Sequence, residues 1–381
     1  MGTSASHEVG WSTWHASEAY TVGIEEEVML LDPESWTLAE RADEVLSATA
    51  GDLAGRRAAE THEAALELKT RPHPTVRDAV AELRELRARL VADVAPLGVA
   101  VAAAGMHPAR ASGVSKVSPS SRYQIIERTM RGLAHREPTF ALHVHVGVPD
   151  SDSAIRLLNQ LRAHLPVLLA LSASSPFVRG EETGLASNRT VVFQGFPRTG
   201  LPRRFHAYCD WVSTVEMLLR SGAIPEPTFL WWDIRPQPPL GTVEVRIMDA
   251  QPQVESTAAL CALVQALARL EVEDGFASPA LVEATEVLHE NRFLAVRDGA
   301  RAELIDPARS TLVPVAELVR ELLDAAHPHA VALDAVAELV LVPGLVDAPE
   351  VDRQRGLAVS DGLPAVVADL AARFSHGQAR P

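Results

Sequence analysis

Thr21-Val-Gly-Ile-Glu-Glu-Glu-Val-Met-Leu-Leu31 decides how the rest of the chain is read. The run is rich in strand formers and ends at Asp32-Pro33, a turn signal. Residues two apart in a strand face the same way, so Glu25 and Glu27 share one face with Gly23. Two adjacent carboxylates repel unless a cation lies between them. A solvated edge strand would also tolerate such a pair, but Val28, Leu30 and Leu31 give this strand a substantial buried component.

Working outward, three further stretches repeat the pattern of chemistry on one face of a strand. In Glu60-Thr-His-Glu63-Ala-Ala-Leu-Glu67, Glu67 alternates with Leu66 and Leu68 in an expected strand before Pro72, where charge is expensive unless paired or metal-bound. Glu60 and Glu63 precede it and can bend back toward it; solvated glutamates at a helix start are the alternative. In Leu142-His-Val-His-Val-Gly147, His143 and His145 share a face, which suits a metal or a polyphosphate, and Gly147 allows close backbone approach. In Thr242-Val-Glu-Val-Arg-Ile-Met248, Glu244 and Arg246 alternate with Val243, Val245 and Ile247. They offer a metal ligand and a phosphate clamp, or else a simple ion pair. Arg235 in Trp231-Trp-Asp-Ile-Arg-Pro236 adds a second cation in an expected strand. Together these strands supply Glu25, Glu27, Glu67, His143 and Glu244, an oxygen-rich set that selects Mg²⁺ or Mn²⁺. Such cations usually meet phosphates, and catalysis is then positioning plus charge neutralisation.

Helical periodicity fills the intervals. Val76, Val80, Leu83, Leu86, Leu90 and Val94 predict a helix over 75–95, stopped by Pro96 and followed by a buried strand at 97–104. A helix is expected from 118 or 119, a strand at 139–148, then helices at 151–171, 206–221 and 255–272. Residues 229–234 and 241–248 read as β-like, and 174–205 as a Gly-, Pro-, Ser- and Arg-rich loop. Strands and helices mix without regular βα alternation, so the expected class is α+β, a sheet with helices on one face. Residues 1–19 read as a disordered tail whose Trp11 and Trp14 could dock on the body. Residues 20–272 form the core, and 273–381 read as a helical extension of the same domain, broken at His327-Pro328 and Pro343-Gly344.

Composition narrows the classes. The 381 residues carry 35 basic and 50 acidic side chains, a formal charge of −15. A surface that acidic repels phosphate backbones and anionic lipid, which excludes broad nucleic-acid or membrane binding. Cys209 and Cys261 are too few for a disulfide framework and too far apart for a CxxC site. Lys69 and Lys116 are the only lysines, and no GxxxxGK[ST] loop occurs, which removes the P-loop NTPases. The longest apolar stretch, Leu97–Gly105, is about half of the ~20 residues a membrane-spanning helix needs. With no export signal at the N-terminus, the cytoplasm is the expected compartment.

In this order, GIEEE (23–27), ELKT (67–70) after its acidic lead-in, HVHVG (143–147), SPF (175–177), TGLP (199–202), WWDIRP (231–236) and TVEVRIMD (242–249) resemble the bacterial carboxylate–amine ligases. These are the glutamate–cysteine ligase 2 group of the glutamate–cysteine ligase and glutamine synthetase-like superfamily. The resemblance covers about residues 20–272. It implies a curved antiparallel sheet holding ATP and two or three divalent cations, Mg²⁺ or Mn²⁺. By that resemblance Glu25, Glu27, Glu67, His143 and Glu244 match metal-ligand positions, and Glu60 a further acidic one, with Glu63 as its rival. His145 would lie near the nucleotide phosphates, and Arg246 would steady the transferred phosphoryl group. Arg189 and Arg235 are candidates for phosphate or substrate carboxylate; Lys69 and Lys116 match no functional position. The implied reaction joins a carboxylate, glutamate, to an amine, cysteine, through an acyl phosphate. The loop 174–205 would be its lid, with Arg198, Arg203 and Arg204 as anion clamps or as a solvated basic surface. A homo-oligomer is implied at the family level. Three other readings compete. A phosphagen-kinase-like phosphotransferase would stop at phosphoryl transfer. A metallohydrolase around His143-x-His145 would need more histidines than His164, His206, His289, His327 and His329 supply by motif. A non-catalytic nucleotide-binding homologue is the third.

Overall fold

Val22, Ile24, Val28, Met29, Leu30 and Leu31 are buried in the ten-residue strand β1, Val22–Leu31, and the sheet is built around it. In the computed structural model, which describes residues 10–49, 55–109 and 115–376, β1 is joined by six further strands. These are β2 Arg57–Ala59, β3 Ala65–Lys69, β4 Ala100–Ala102, β5 Ala141–Gly147, β6 Ile234–Gln237 and β7 Thr242–Asp249. The order is β6-β7-β5-β1-β3-β2, with β4 pairing β1 at Met29–Leu31 beyond the end of β5, and every pairing is antiparallel. Two-residue alternation then sorts the side chains. Ile24, Leu66, Leu68, Leu142, Val144, Val146, Val243 and Val245 are buried, and helices cover that face.

Four helices do most of the covering: α1 Val76–Val94, α2 Ser151–Leu161, α3 Leu165–Ser172 and α4 Val254–Glu273. The Thr75 side chain caps α1 by accepting from the Asp78 N–H at 3.2 Å, and Val76, Val80, Leu83, Leu86, Leu90 and Val94 are buried along one stripe. Each such side chain stabilises by about 1.5–3 kcal/mol relative to exposure. Glu26, the middle residue of the acidic triplet, points into this layer. There the fully buried Arg87 of α1 donates to both its oxygens and to the Gln251 and Pro252 carbonyls, with the guanidinium 4.4 Å from the Phe374 ring.

The expected helix 151–171 is two helices, because Pro166 lacks an N–H and restarts the chain at α3. Conversely, Pro328 does not break its helix. Val315–Ala332 runs through it, held by buried Ala326, His329 and Ala330, with His329 2.9 Å from Asp274. Residues beyond 273 are not wholly helical either. Strands Glu303–Asp306 and Thr311–Pro314 form a hairpin, its turn closed by the Asp306 carboxylate accepting from the Ala308 and Arg309 N–H groups.

Residues 1–9 of the expected tail lie outside the described residues, but 10–19 are docked, contrary to the expectation of disorder. Trp11 meets Trp211 edge-on at 5.6 Å, and Trp14 meets Tyr208 at 5.9 Å while its indole N–H donates to the Val148 carbonyl. This segment lies against Gly147 and Gly241. A Cβ at Gly147 would overlap the Glu18 carbonyl and Thr21 Oγ1, and one at Gly241 (φ +63°) would overlap the His15 carbonyl. Gly147 does permit close backbone approach, and the backbone that approaches is the protein's own.

Candidate active site

The sheet face opposite the helices carries Glu25 and Glu27 of β1, Glu67 and Lys69 of β3, His143 and His145 of β5, Arg235 and Gln237 of β6, and Glu244 and Arg246 of β7. Register sets them side by side: Glu25 opposes His143 and Lys69, Glu27 opposes Glu67, and Glu244 opposes both His145 and Arg235. A cavity of about 490 Å³ opens on this face. Glu25, Glu27, Glu60, Glu67, His143, His145, Arg189, Arg235 and Arg246 all line it. Glu244 lies beneath, fully buried, with Arg235 Nε (2.6 Å), Gln237 Nε2 (2.5 Å) and Arg246 donating to its oxygens. Glu60 enters the cavity beside the Thr61 N–H, whereas Glu63 turns away, its backbone paired with Ala42 and Lys116.

His143 is the hinge of the cluster. Its Nδ1 lies 3.4 Å from Glu25 and 3.9 Å from Glu244, and its Nε2 lies 3.8 Å from Glu27. Two three-residue groups share it, Glu25–His143–Glu244 and Glu27–Glu67–His143, each with donor atoms within 4.8 Å of one another. Burial, then the nearby Arg246, pushes the His143 imidazole down to about 3, which favours the neutral ring. The buried Nε2 atoms of both His143 and His145 have no hydrogen-bond partner. Burial raises Glu27 and Glu60 to about 7 against their neighbours' cations, and burial with the Glu25 and Glu60 charges holds Glu67 well above the carboxylate range. Glu25 and Glu244 go the other way. Burial opposes ionisation, but His145 and the Arg235–Arg246 pair respectively keep them well below that range. Buried, oxygen-rich donors around the orphaned His143 Nε2 fit divalent cations of the hard class.

A register shift in β7 shapes the cationic side. Val245 pairs with Val144 and Met248 with Leu142, so Arg246 and Ile247 together face His143 as a bulge. Arg189 donates to the Arg246 and Ile247 carbonyls at 3.1 and 3.0 Å, so it both lines the cavity and binds the bulge. Asp249, at the end of β7, accepts from Ser174 N, Ser175 Oγ and Ser187 Oγ, tying the SPF and Ser187-Asn-Arg segments to the sheet.

The stretch 174–205 is not one loop. It contains a short hairpin, a helix at Asn188–Phe193 and a two-residue strand. Arg198, Arg203 and Arg204 do not reach the cavity. Arg198 binds the Phe229 carbonyl, Arg203 pairs with Asp210 at 2.5 Å, and Arg204 pairs with Glu283 at 3.2 Å. The segment supplies instead Arg189, Phe193 and Phe196, the last two continuing to Trp231 as an aromatic wall. Sequence reasoning also passed over Lys69 and Gln237. Each lies two residues from a recognised site residue on the same strand, and that parity was the available signal. Tyr123 and Arg122, which reach the cavity from the helix Ser121–Met130, carried none. Lys116 is exposed and its side chain lies elsewhere.

An antiparallel sheet backed by helices, with carboxylates, histidines and arginines converging on its open face, is the framework of an ATP-dependent carboxylate–amine ligase. Residues 21–355 match the glutamate–cysteine ligase family 2, and the chain belongs to that family. It is similar to a Rubrobacter xylanophilus protein named "Putative glutamate--cysteine ligase 2-3", 39% identical over 94% of this chain and 97% of that one. A Jannaschia relative named "Putative glutamate--cysteine ligase 2" is 36% identical over 89% of this chain and 90% of its own. Among solved structures, the fold is similar to a Francisella tularensis glutamate–cysteine ligase in complex with AMP. The TM-score is 0.66 at 15% identity, over 95% of this chain and 90% of that one. A bifunctional glutathione synthetase from Pasteurella multocida gives TM-score 0.66 at 13% identity, over 93% of this chain and 52% of that one. Among the described residues, no helix is long and apolar enough to cross a membrane.

Proposed function

We propose that this enzyme uses MgATP to join the γ-carboxylate of glutamate to the amino group of cysteine. The observation that carries the proposal is the pairing of one acidic cluster with Arg235, Arg246 and Arg189 around a single cavity. Glu25, Glu27, Glu60, Glu67, His143 and Glu244 would hold Mg²⁺ or Mn²⁺, which neutralises phosphate charge when bound. Arg246 and Arg235 keep positive charge at the cavity floor, where Arg246 would hold the transferred phosphoryl group and His145 the neighbouring phosphates. The glutamate carboxylate oxygen attacks the γ-phosphorus and ADP leaves, giving an acyl phosphate. The amine nitrogen then attacks the acyl carbon, phosphate departs, and the amine loses a proton. An acyl phosphate must be kept from water, a task for the wall of Phe193, Phe196 and Trp231, which also offers a flat surface to a base. ATP and free thiols coexist in the cytoplasm, where we place the reaction; both cysteines are free.

Phosphate release from MgATP with glutamate, measured with and without cysteine and other amines and paired with product mass, tests this. Amine-dependent phosphate with a new amide mass is expected. A phosphorylated product without an amide would convert the reading to a phosphotransferase.

A further inference from the structure

Lys69 is the one lysine in the cavity, and its position is unusual for a residue with no partner in the reaction. Its ammonium forms an ion pair with Glu67 and lies 3.6 Å from Glu25. Those two carboxylates belong to different three-residue groups, so the ammonium stands beside both places where a cation would be held. Glu67 has 7% of its side chain exposed and Glu25 21%, whereas Lys69 has 37% exposed. The acids are fixed by the sheet, while the lysine reaches in from a strand end with room to withdraw. Its backbone N–H is held by the Arg56 carbonyl, so withdrawal requires only side-chain rotation.

We propose that Lys69 is a resident counter-cation: it balances Glu25 and Glu67 in the metal-free enzyme and is expelled from Glu67 when a divalent ion binds. The inference rests on the metal reading given above. A positive charge already seated on two ligand carboxylates opposes a metal ion twice, by occupying lone pairs and by repulsion. Removing that charge therefore tightens metal binding, the reverse of what loss of a ligand does. It also leaves the carboxylates without a local cation in the metal-free state.

Mn²⁺ titration of the metal-free full chain, followed by electron paramagnetic resonance without nucleotide, tests this alongside thermal melts with and without Mn²⁺. Lys69→Met should bind Mn²⁺ about two- to fivefold more tightly than wild type, the scale set by loss of an ion pair whose lysine reaches solvent. Its melting temperature should lie below wild type without metal, and Mn²⁺ should close the gap. Lys69→Arg should keep the wild-type affinity. Unchanged or weaker Mn²⁺ binding by Lys69→Met, or by Lys69→Gln should the methionine variant not fold, overturns the proposal and leaves the metal reading standing. A wild-type protein that binds no Mn²⁺ removes the metal reading and this inference with it.

Discussion

Glu27 and Glu60 show how burial prepares a site. Each titrates at about 7 because burial, and for Glu60 the charge of Glu27, opposes its ionisation. Metal ligands must be ionised, so Mn²⁺ or Mg²⁺ binding at neutral pH should expel protons, and affinity should rise between about pH 6 and 8. Calorimetry in two buffers of different ionisation heat reads the proton count directly; zero release would contradict the assignment. The same shift has a stability consequence. These carboxyls titrate higher folded than unfolded, so the native state binds more protons between the two values. The metal-free enzyme should therefore lose stability as pH rises through 7, and saturating Mn²⁺ should flatten that slope. Glu27→Gln or Glu244→Gln should abolish metal-dependent ATP turnover with an unchanged far-UV spectrum; wild-type turnover in either would remove the metal assignment.

At the scale of elements, the bulge in β7 is the part that sequence alone does not disclose. The two-residue alternation of β1, β3 and β5 is legible, because one face is apolar and the other carries the chemistry. The bulge between Val245 and Met248 carries no glycine or proline to mark it, and nothing around Arg189 in the sequence discloses the two bulge carbonyls to which it donates. Tyr123, Phe193 and Phe196 arrive by tertiary packing, which leaves no local pattern. Arg189→Met would remove the two charged donors to the Arg246 and Ile247 carbonyls, at about 1–3 kcal/mol each, so denaturant unfolding should shift to lower concentration. Since Arg246 hangs from that bulge, kcat should fall more than KM rises. Gly241→Ala would collide with the segment at His15, and it should lower the melting temperature measurably.

Over the whole molecule, the Glu26–Arg87 pair fastens sheet, helix α1 and the C-terminal helix at one point. Glu26→Gln should destabilise by about 3–5 kcal/mol in urea unfolding, because the guanidinium is left buried without its counter-charge. A Glu26→Met, Arg87→Met double variant should lose less than the two single changes combined.

Strand order has a further effect, on the timing of assembly. The acids of β1 and β3 and the histidines of β5 all lie before residue 148, whereas Arg189, Arg235 and Arg246 are made later. As the chain is synthesised, the strands of the half-sheet β3-β1-β5 emerge with their negative charge before those arginines exist, and β7 joins β5 only after the 94 residues between Gly147 and Thr242. Refolding should likewise hasten when dissolved Mg²⁺ balances the acids before β7 has docked its arginines, and electrostatics would then time the last step of folding.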